Sequence, residues 1–430
     1  MSRIYKTRTD GVPEESMKTK VFVIVFLLCM IAVAADAGGL SAARAVAMGG
    51  AHVGLARGVY APLYNPANIG LSEYRENAVE VAGVGVQINN NSFTLEDYNE
   101  YTGALLTEND KSVILGKIPA EGLKITAEAE AGAMSVSLGS LVMSINGVAA
   151  TEVNLGKDAL RLFLEGNGIN EEFTLDGMYS EAIAYGSAGL SYGIPVYVSG
   201  TRQLALGATV KYIRGFAYED VVELSGGVVT LASGFFGEGT MIARTATGGS
   251  GYAMDIGAAL KLNDSYTAGV SFSNVFSNIT WNHETEEHGY HFELDTVNID
   301  QIDDDSIDVS EDWSEPIDDF STGLPTVMRA GLANIDGRFL WAVDYIQGFK
   351  LAAGSSSKPR IAVGIEYRLL SSLPIRAGYS LGGGKGSVIS GGLGVDMSLF
   401  HFDIALSNSS TFDLNATKGL HLALSTGIRF

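Results

Sequence analysis

Gly419-Leu-His-Leu-Ala-Leu-Ser-Thr-Gly-Ile-Arg-Phe430 alternates almost without a break. Leu420, Leu422, Leu424, Thr426, Ile428 and Phe430 fall on one side, and His421, Ala423, Ser425, Gly427 and Arg429 on the other. A period of two sends successive side chains to opposite faces of a strand, so the stretch predicts a β-strand with one apolar and one polar face. Its length also suits a tilted strand crossing a bilayer, which needs about 10 residues. A soluble antiparallel sheet can end the same way, so the remainder of the chain has to decide between the two.

The same alternation recurs upstream. Ile361, Val363, Ile365, Tyr367 and Leu369 alternate with Ala362, Gly364, Glu366 and Arg368; Ile375, Ala377, Tyr379 and Leu381 alternate with Arg376, Gly378, Ser380 and Gly382. Tyr266, Ala268, Val270 and Phe272 repeat the pattern, and similar segments lie near 79–89, 132–138, 140–149, 181–193, 203–214, 218–231, 252–263, 326–335, 339–348, 387–397 and 399–407. The count is about 14 strands. One face is aliphatic or aromatic at nearly every position. The other is Gly, Ala, Ser and Thr, with Lys211, Lys261, Arg329, Asp344, Glu366, Arg368, Arg376, Asp396, Asp403 and Arg429 among them. A soluble sandwich would put bulkier polar side chains in water. Here the polar face is small and glycine-rich, as for a lumen, and Tyr192, Tyr212, Tyr266 and Phe349 recur at segment ends as an interfacial aromatic girdle requires. The expected fold is an all-β transmembrane antiparallel barrel over residues 78–430, in contact with outer-membrane lipid.

Near the start, Met17-Lys-Thr-Lys20 is a basic stretch, Val21–Ala34 an apolar run and Ala35-Asp36-Ala37 a small-x-small site. That is the layout of a secretory signal peptide, with cleavage expected after Ala37 and translation starting at Met17. Cys29, the only cysteine, sits inside the apolar run. Its removal leaves a thiol-free chain, which suits an oxidising compartment. Localisation in the bacterial outer membrane follows from the signal peptide and the barrel together.

The chain holds 49 acidic and 28 basic residues. That balance argues against nucleic acid, which needs a basic face. From His283 to Asp319 there is no Lys or Arg, while acids crowd together, including Glu284, Glu286, Glu287, Asp303–Asp305, Glu311, Asp312 and Glu315. A block of this kind repels itself and stays solvated, so it reads as one long external loop, 283–319, and a candidate surface for a partner protein. His283, His288 and His291 among the glutamates have the ligand types of a transition-metal site, and the aspartates those of calcium. A solvated polar loop explains both equally, so no metal or other cofactor is expected. Residues 93–127 carry loop signals, and Asp158–Glu165 is a short amphipathic helix candidate at the barrel mouth. There is no nucleophile elbow, Walker loop or informatively spaced Ser/His/Asp set; Gly382-Gly-Gly-Lys-Gly-Ser387 joins two strands with no helix after it and reads as a tight turn. The chain is not expected to be an enzyme.

Residues 38–77 lack the alternation. They are small and apolar, suited to packing in a confined space, and Asn65-Pro66 reads as a helix start, with Asn capping and Pro at the first position. Met48-Gly49-Gly50-Ala51 followed by Tyr64-Asn65-Pro66-Ala67 resembles the long-chain fatty-acid transporter (FadL-like) superfamily of outer-membrane proteins. Asn68, where that group often has Gly, and Arg57-Gly58, where it often has an acidic pair, depart from the pattern. The resemblance implies a 14-stranded barrel with residues 38–77 folded inside as a plug, shaped by Met48, Gly49, Gly50, Tyr64, Asn65, Pro66 and Ala67. It implies either passive uptake of a hydrophobic ligand of fatty-acid type with lateral release, or a PorV-like scaffold that binds a partner protein. Arg44 is then the plug residue best suited to a carboxylate or a lumen acid, and Arg368 and Arg376 are the lumen candidates for an anionic headgroup. The terminal Phe430 resembles the signal read by the barrel-insertion machinery.

Overall fold

The computed structural model describes residues 39–166, 168–297, 308–409 and 413–430. The expected signal peptide with Cys29 and Asp303–Asp305 of the acidic run lie outside the described residues. The wall consists of β1 (Asn77–Asn90), β2 (Leu123–Leu138), β3 (Leu141–Leu155), β4 (Tyr179–Ser199), β5 (Arg202–Leu231), β6 (Gly248–Lys261) and β7 (Tyr266–His283). It continues through β8 (Val327–Asp336), β9 (Phe339–Gly348), β10 (Arg360–Leu370), β11 (Leu373–Gly382), β12 (Ser387–Asp396), β13 (Phe400–Ser409) and β14 (Gly419–Arg429). Each pairs antiparallel with the next, and β14 returns to β1 from Ala78↔Arg429 to Asn89↔Gly419. The sheet is a closed barrel of 14 strands. Closure leaves no unpaired edge, which is what a bilayer demands of a sheet.

The partition of side chains is inside out. Along β14 the leucines Leu420, Leu422 and Leu424 are exposed, while His421, Ala423 and Ser425 are buried. β13 repeats this, with Phe400, Phe402, Ile404 and Leu406 outward and His401, Asp403, Ala405 and Ser407 inward. An outward face this apolar is stable only against hydrocarbon. Leu424→Arg should therefore cost about 2–4 kcal/mol if Leu424 lies near the bilayer midplane. Urea unfolding of the barrel refolded into liposomes measures it, and an unchanged midpoint would contradict the lipid-facing assignment.

Turns at one end are short: Gly139-Ser140, Gly200-Thr201, Gly337-Arg338 and Ser371-Ser372 each join two strands. The other end carries every long connection, the arrangement of periplasmic turns and external loops in outer-membrane barrels. Four segments differ from the sequence reading. The stretches at 203–214 and 218–231 are one strand, β5, of 30 residues, far longer than a bilayer needs. Residues 93–127 hold two helices, α3 (Leu95–Tyr101) and α4 (Glu108–Lys117), before β2 starts at Leu123. Their starts are Thr94/Asp97 and Thr107/Asp110, each a reciprocal capping box. Residues 151–155 complete β3, and the helix after it, α5, spans Lys157–Glu165. The acidic loop is not irregular: Glu286–Val297 pairs with Asp308–Pro316 and, on its other side, with Gly234–Ala246, which pairs with the overhanging half of β5. A like-charged run tolerates this because Glu293, Glu311, Asp312 and Glu315 keep their side chains in water.

Candidate functional site

Residues 39–76 pack against inward-facing positions of the wall strands. Helix α1 (Ala43–Ala47) touches β11–β14, and the 3₁₀ turn Pro66–Gly70, which follows the short helix α2 (Ala61–Tyr64), touches β4–β7. On a ring of 14 those walls face one another, so the segment crosses the barrel from side to side. Its side chains are almost wholly buried, Ala43, Ala45, Met48, Ala51, Ala67, Ile69 and Leu71 among them. The small residues of the inner wall now have a cause. Cβ atoms at Gly85, Gly207, Gly364 and Gly378 would run into the backbone of Leu40, Pro66, Met48 and Gly49, respectively. Contact this close is possible only where the wall lacks side chains.

Polar groups lock the segment in place. Glu130 accepts the N–H groups of Gly39 at 2.7 Å and Leu40 at 2.9 Å, and the Ser41 hydroxyl at 2.9 Å. Asp344 accepts those of His52 at 2.6 Å and Val53 at 2.8 Å. Buried backbone amides must find partners, and here lumen carboxylates supply them. Asn65 caps its turn by accepting from the Ala67 N–H at 3.0 Å and donates to the Ala258 carbonyl on β6 at 2.9 Å. Asn68 uses one amide nitrogen to hold the carbonyls of Val53 at 2.8 Å and Ala56 at 2.9 Å. A glycine at Asn68 would lose both bonds, which explains this departure from the related pattern. Arg57, the other departure, lays its guanidinium 4.5 Å from the ring centre of Tyr74.

Towards the short turns an ionic network surrounds α1. Glu366 receives Arg44 at 2.8 Å, Arg376 at 2.7 Å and Arg368 at 3.4 Å. Arg376 also reaches Asp403 at 2.6 Å, and Arg429 reaches Asp396 at 2.6 Å. The two lumen arginines singled out from sequence are therefore held by wall acids beside the Arg44 of the plug. The three histidines of the external sheet each sit near a threonine, His283 by Thr247 at 3.0 Å, His288 by Thr245 at 3.1 Å and His291 by Thr240 at 2.9 Å.

Two routes of cavities lead from the loops to the plug. One follows β4–β7. Ile183, Tyr185, Tyr218, Leu324, Ala352 and Ala353 line a space of about 20 Å³ beneath the loops, and Tyr218 stacks on Trp281 at 5.2 Å and meets Phe320 at 5.6 Å. Below it, sharing Tyr185, Asn274 and Leu324, a space of about 50 Å³ ends on Pro62 and Leu63 of the plug. The loop over the upper space is fastened by the Ala353 N–H, which donates to Glu181 at 2.7 Å. The second route is polar. A space of about 90 Å³ at the mouth, lined by Asn89, Glu128, Ser355, Arg360 and Lys385, adjoins one of about 50 Å³ against Gly49 and Gly50. Arg360 and Lys385 line both. Neither was singled out from sequence. The signal was an arginine opening β10 beside the glycine turn before β12, which sequence reasoning read only as a turn.

The ladder between β1 and β2 is interrupted low in the wall. Pairing passes from Glu80↔Ser135 directly to Gly83↔Gly132, leaving Val81, Ala82, Ala133 and Met134 unpaired across this ladder. The same place bulges against β14 and β3.

The fold is similar to that of solved hydrocarbon transporters. The Pseudomonas putida toluene transporter TodX is similar over 92% of this chain and 98% of its own, at 13% identity and a TM-score of 0.51. A TodX monoaromatic hydrocarbon channel variant (deltaS2) matches over 91% and 99%, at 13% identity and a TM-score of 0.52. A Pseudomonas aeruginosa FadL homologue covers 93% of this chain and 99% of its own, at 10% identity and a TM-score of 0.47. The fold is that of these solved TodX barrels. Residues 66–246 match a family of unknown function, DUF5723. No curated protein sequence matches the chain.

Proposed function

We propose that this FadL-like barrel lies in the bacterial outer membrane and admits hydrophobic small molecules, of fatty-acid type, by passive uptake. The observation that carries the reading is the route down β4–β7, which starts in the aromatic cluster under the loops and reaches Pro62 and Leu63 of the plug beside the Lys211–Asp255 ion pair. The solved barrels that share the fold are described as a toluene transporter and hydrocarbon channels, which supports the same class of cargo. The ligand is captured among Tyr185, Tyr218 and Leu324 and then passes the plug. It leaves sideways into the bilayer at the missing rung between β1 and β2, where Gly83 and Gly132 lie against the Glu80 carboxylate. Cavities of 20–90 Å³ are well below the roughly 300 Å³ of a small-molecule site, so the described barrel is closed and passage needs a shift of the plug.

Cells lacking their own uptake protein and supplied with this barrel should take up labelled oleate several-fold faster than cells without it. Pro62→Trp, which blocks the lower cavity, should abolish the gain. Equal uptake with and without the barrel would sink the reading.

A further inference from the structure

The ring of wall strands has no free edge, whereas the external sheet above it has a long one. That sheet runs in the order Glu172–Thr174, the overhanging half of β5, Gly234–Ala246, Glu286–Val297 and Asp308–Pro316. Asp308–Pro316 pairs with Glu286–Val297 from Leu294↔Asp308 to Glu286↔Pro316. Its other side meets no strand among the described residues, because the next segment, Phe320–Thr322, pairs with β7. In an antiparallel pair every second residue turns its N–H and C=O away from the partner. This nine-residue strand therefore offers a row of unpaired backbone groups, a template onto which another strand adds.

The edge is held in place and uncovered. At its foot the Ile317 N–H donates to the Thr285 carbonyl at 3.0 Å, and the Thr285 hydroxyl donates to the Ile317 carbonyl at 2.8 Å. Trp313, the aromatic residue of the strand, leans inward: a Cβ at Gly289 would run into its indole, so the ring rests over Glu286–Val297 and leaves the outer side open. Ser310, Glu311, Asp312, Ser314 and Glu315 are exposed.

The edge also selects by charge. A period of two puts Asp312 on one face and Glu311 and Glu315 on the other, so both faces are acidic. Glu315 stands directly across from Glu287, a like-charged pair that destabilises a sheet. The ion pairs of this sheet, Arg244–Asp220 at 3.6 Å and His288–Glu286 at 3.4 Å, leave Glu311, Asp312 and Glu315 without a base among the described residues. Two copies meeting edge to edge would set these acids against one another. A basic strand in the same place would pair with them and relieve the repulsion.

We propose that Asp308–Pro316 is a docking edge for an extended basic segment of a partner protein, which adds as a sixth strand with Lys or Arg beside Glu311, Asp312 and Glu315. Backbone bonds hold the segment, and the charges choose it. Uptake does not depend on this edge, since none of its residues lines the lumen cavities described above.

The test uses the full barrel in nanodiscs of zwitterionic lipid and a nine-residue peptide of alternating lysine and threonine. One control peptide has glutamate for lysine, and a second is N-methylated throughout, which keeps the charge and removes the backbone donors. The lysine peptide should bind and slow hydrogen exchange of amides within 308–316, and neither control should do so. The triple variant Glu311→Gln, Asp312→Asn, Glu315→Gln should bind it about tenfold more weakly, the loss of three cross-strand charge pairs, with an unchanged heat-shifted gel band. Equal binding of the N-methylated peptide, or binding that leaves exchange in 308–316 unaltered, means attraction by charge alone and overturns strand addition. No binding of the lysine peptide, or equal binding of the glutamate peptide, overturns the proposal outright. Self-association of the barrels with the same protection and no peptide would give the edge to a second copy and overturn it as well.

Discussion

Replacing Glu366 by Gln should lower the stability of the folded barrel by about 3–5 kcal/mol, the cost of leaving buried charges without their partner. Glu366 is fully buried and is the shared acceptor of Arg44, Arg376 and Arg368. Gln keeps the shape and removes the charge, so Arg44 loses its only ion pair among the described residues while Arg376 retains Asp403. The effect belongs to the electrostatics of the site and not to its volume. It should appear as a drop in the temperature at which the folded gel band converts to the unfolded one. Arg44→Ala in the Gln background should cost less than in the wild type, because the charge it balanced is gone. Additive losses would show that Glu366 and Arg44 are not coupled.

The second large effect is steric. Gly378→Ala adds a Cβ onto the Met48–Gly49 backbone of the plug, and neither wall nor plug has a flexible side chain there to yield. Overpacking of this kind costs about 1–3 kcal/mol, and the easiest relief is for the plug to leave its seat while the 14 paired strands stay closed. Trypsin should then cut at Arg44, and single-channel conductance should rise. Gly391→Ala on β12 is the control, since a Cβ there meets only the Arg376 carbonyl at 3.7 Å, an ordinary contact. If both variants behave as wild type, the plug is not seated by backbone contact with β11.

The barrel was legible because its two faces differ in chemistry at a period of two, and lipid inverts the usual sense of burial without changing that period. Lys261, Arg329, Asp344, Glu366 and Arg376 are all inward and buried, as their register predicts. The strand count was reachable because turns at one end are short. What periodicity could not show is which inward groups meet. Arg44 and Glu366 are 322 residues apart, and His52 and Asp344 are 292 apart; only closure of the ring brings them together. Hence Arg368 and Arg376 looked like open sites for a ligand, although wall acids neighbour them. The external hairpin was missed because charge density was weighed above the alternation of Tyr290, Phe292 and Leu294. Helices α3 and α4 were missed although Thr-x-x-Asp stood in plain sight at both starts.

The long-range locks of the lumen segment also set an order of assembly. Residues 39–53 emerge early in synthesis, yet the carboxylates that fasten them sit at 130, 344 and 366. Contacts this distant in sequence form slowly, because loop closure must precede their reward. A segment made early is thus among the last to be seated. Until β10 exists, an apolar stretch of alanines, valines and leucines has no place to go. A periplasmic holding factor, or delay of ring closure until the segment is inside, is the consequence that this one inward-folded strip imposes on the whole biogenesis of the protein.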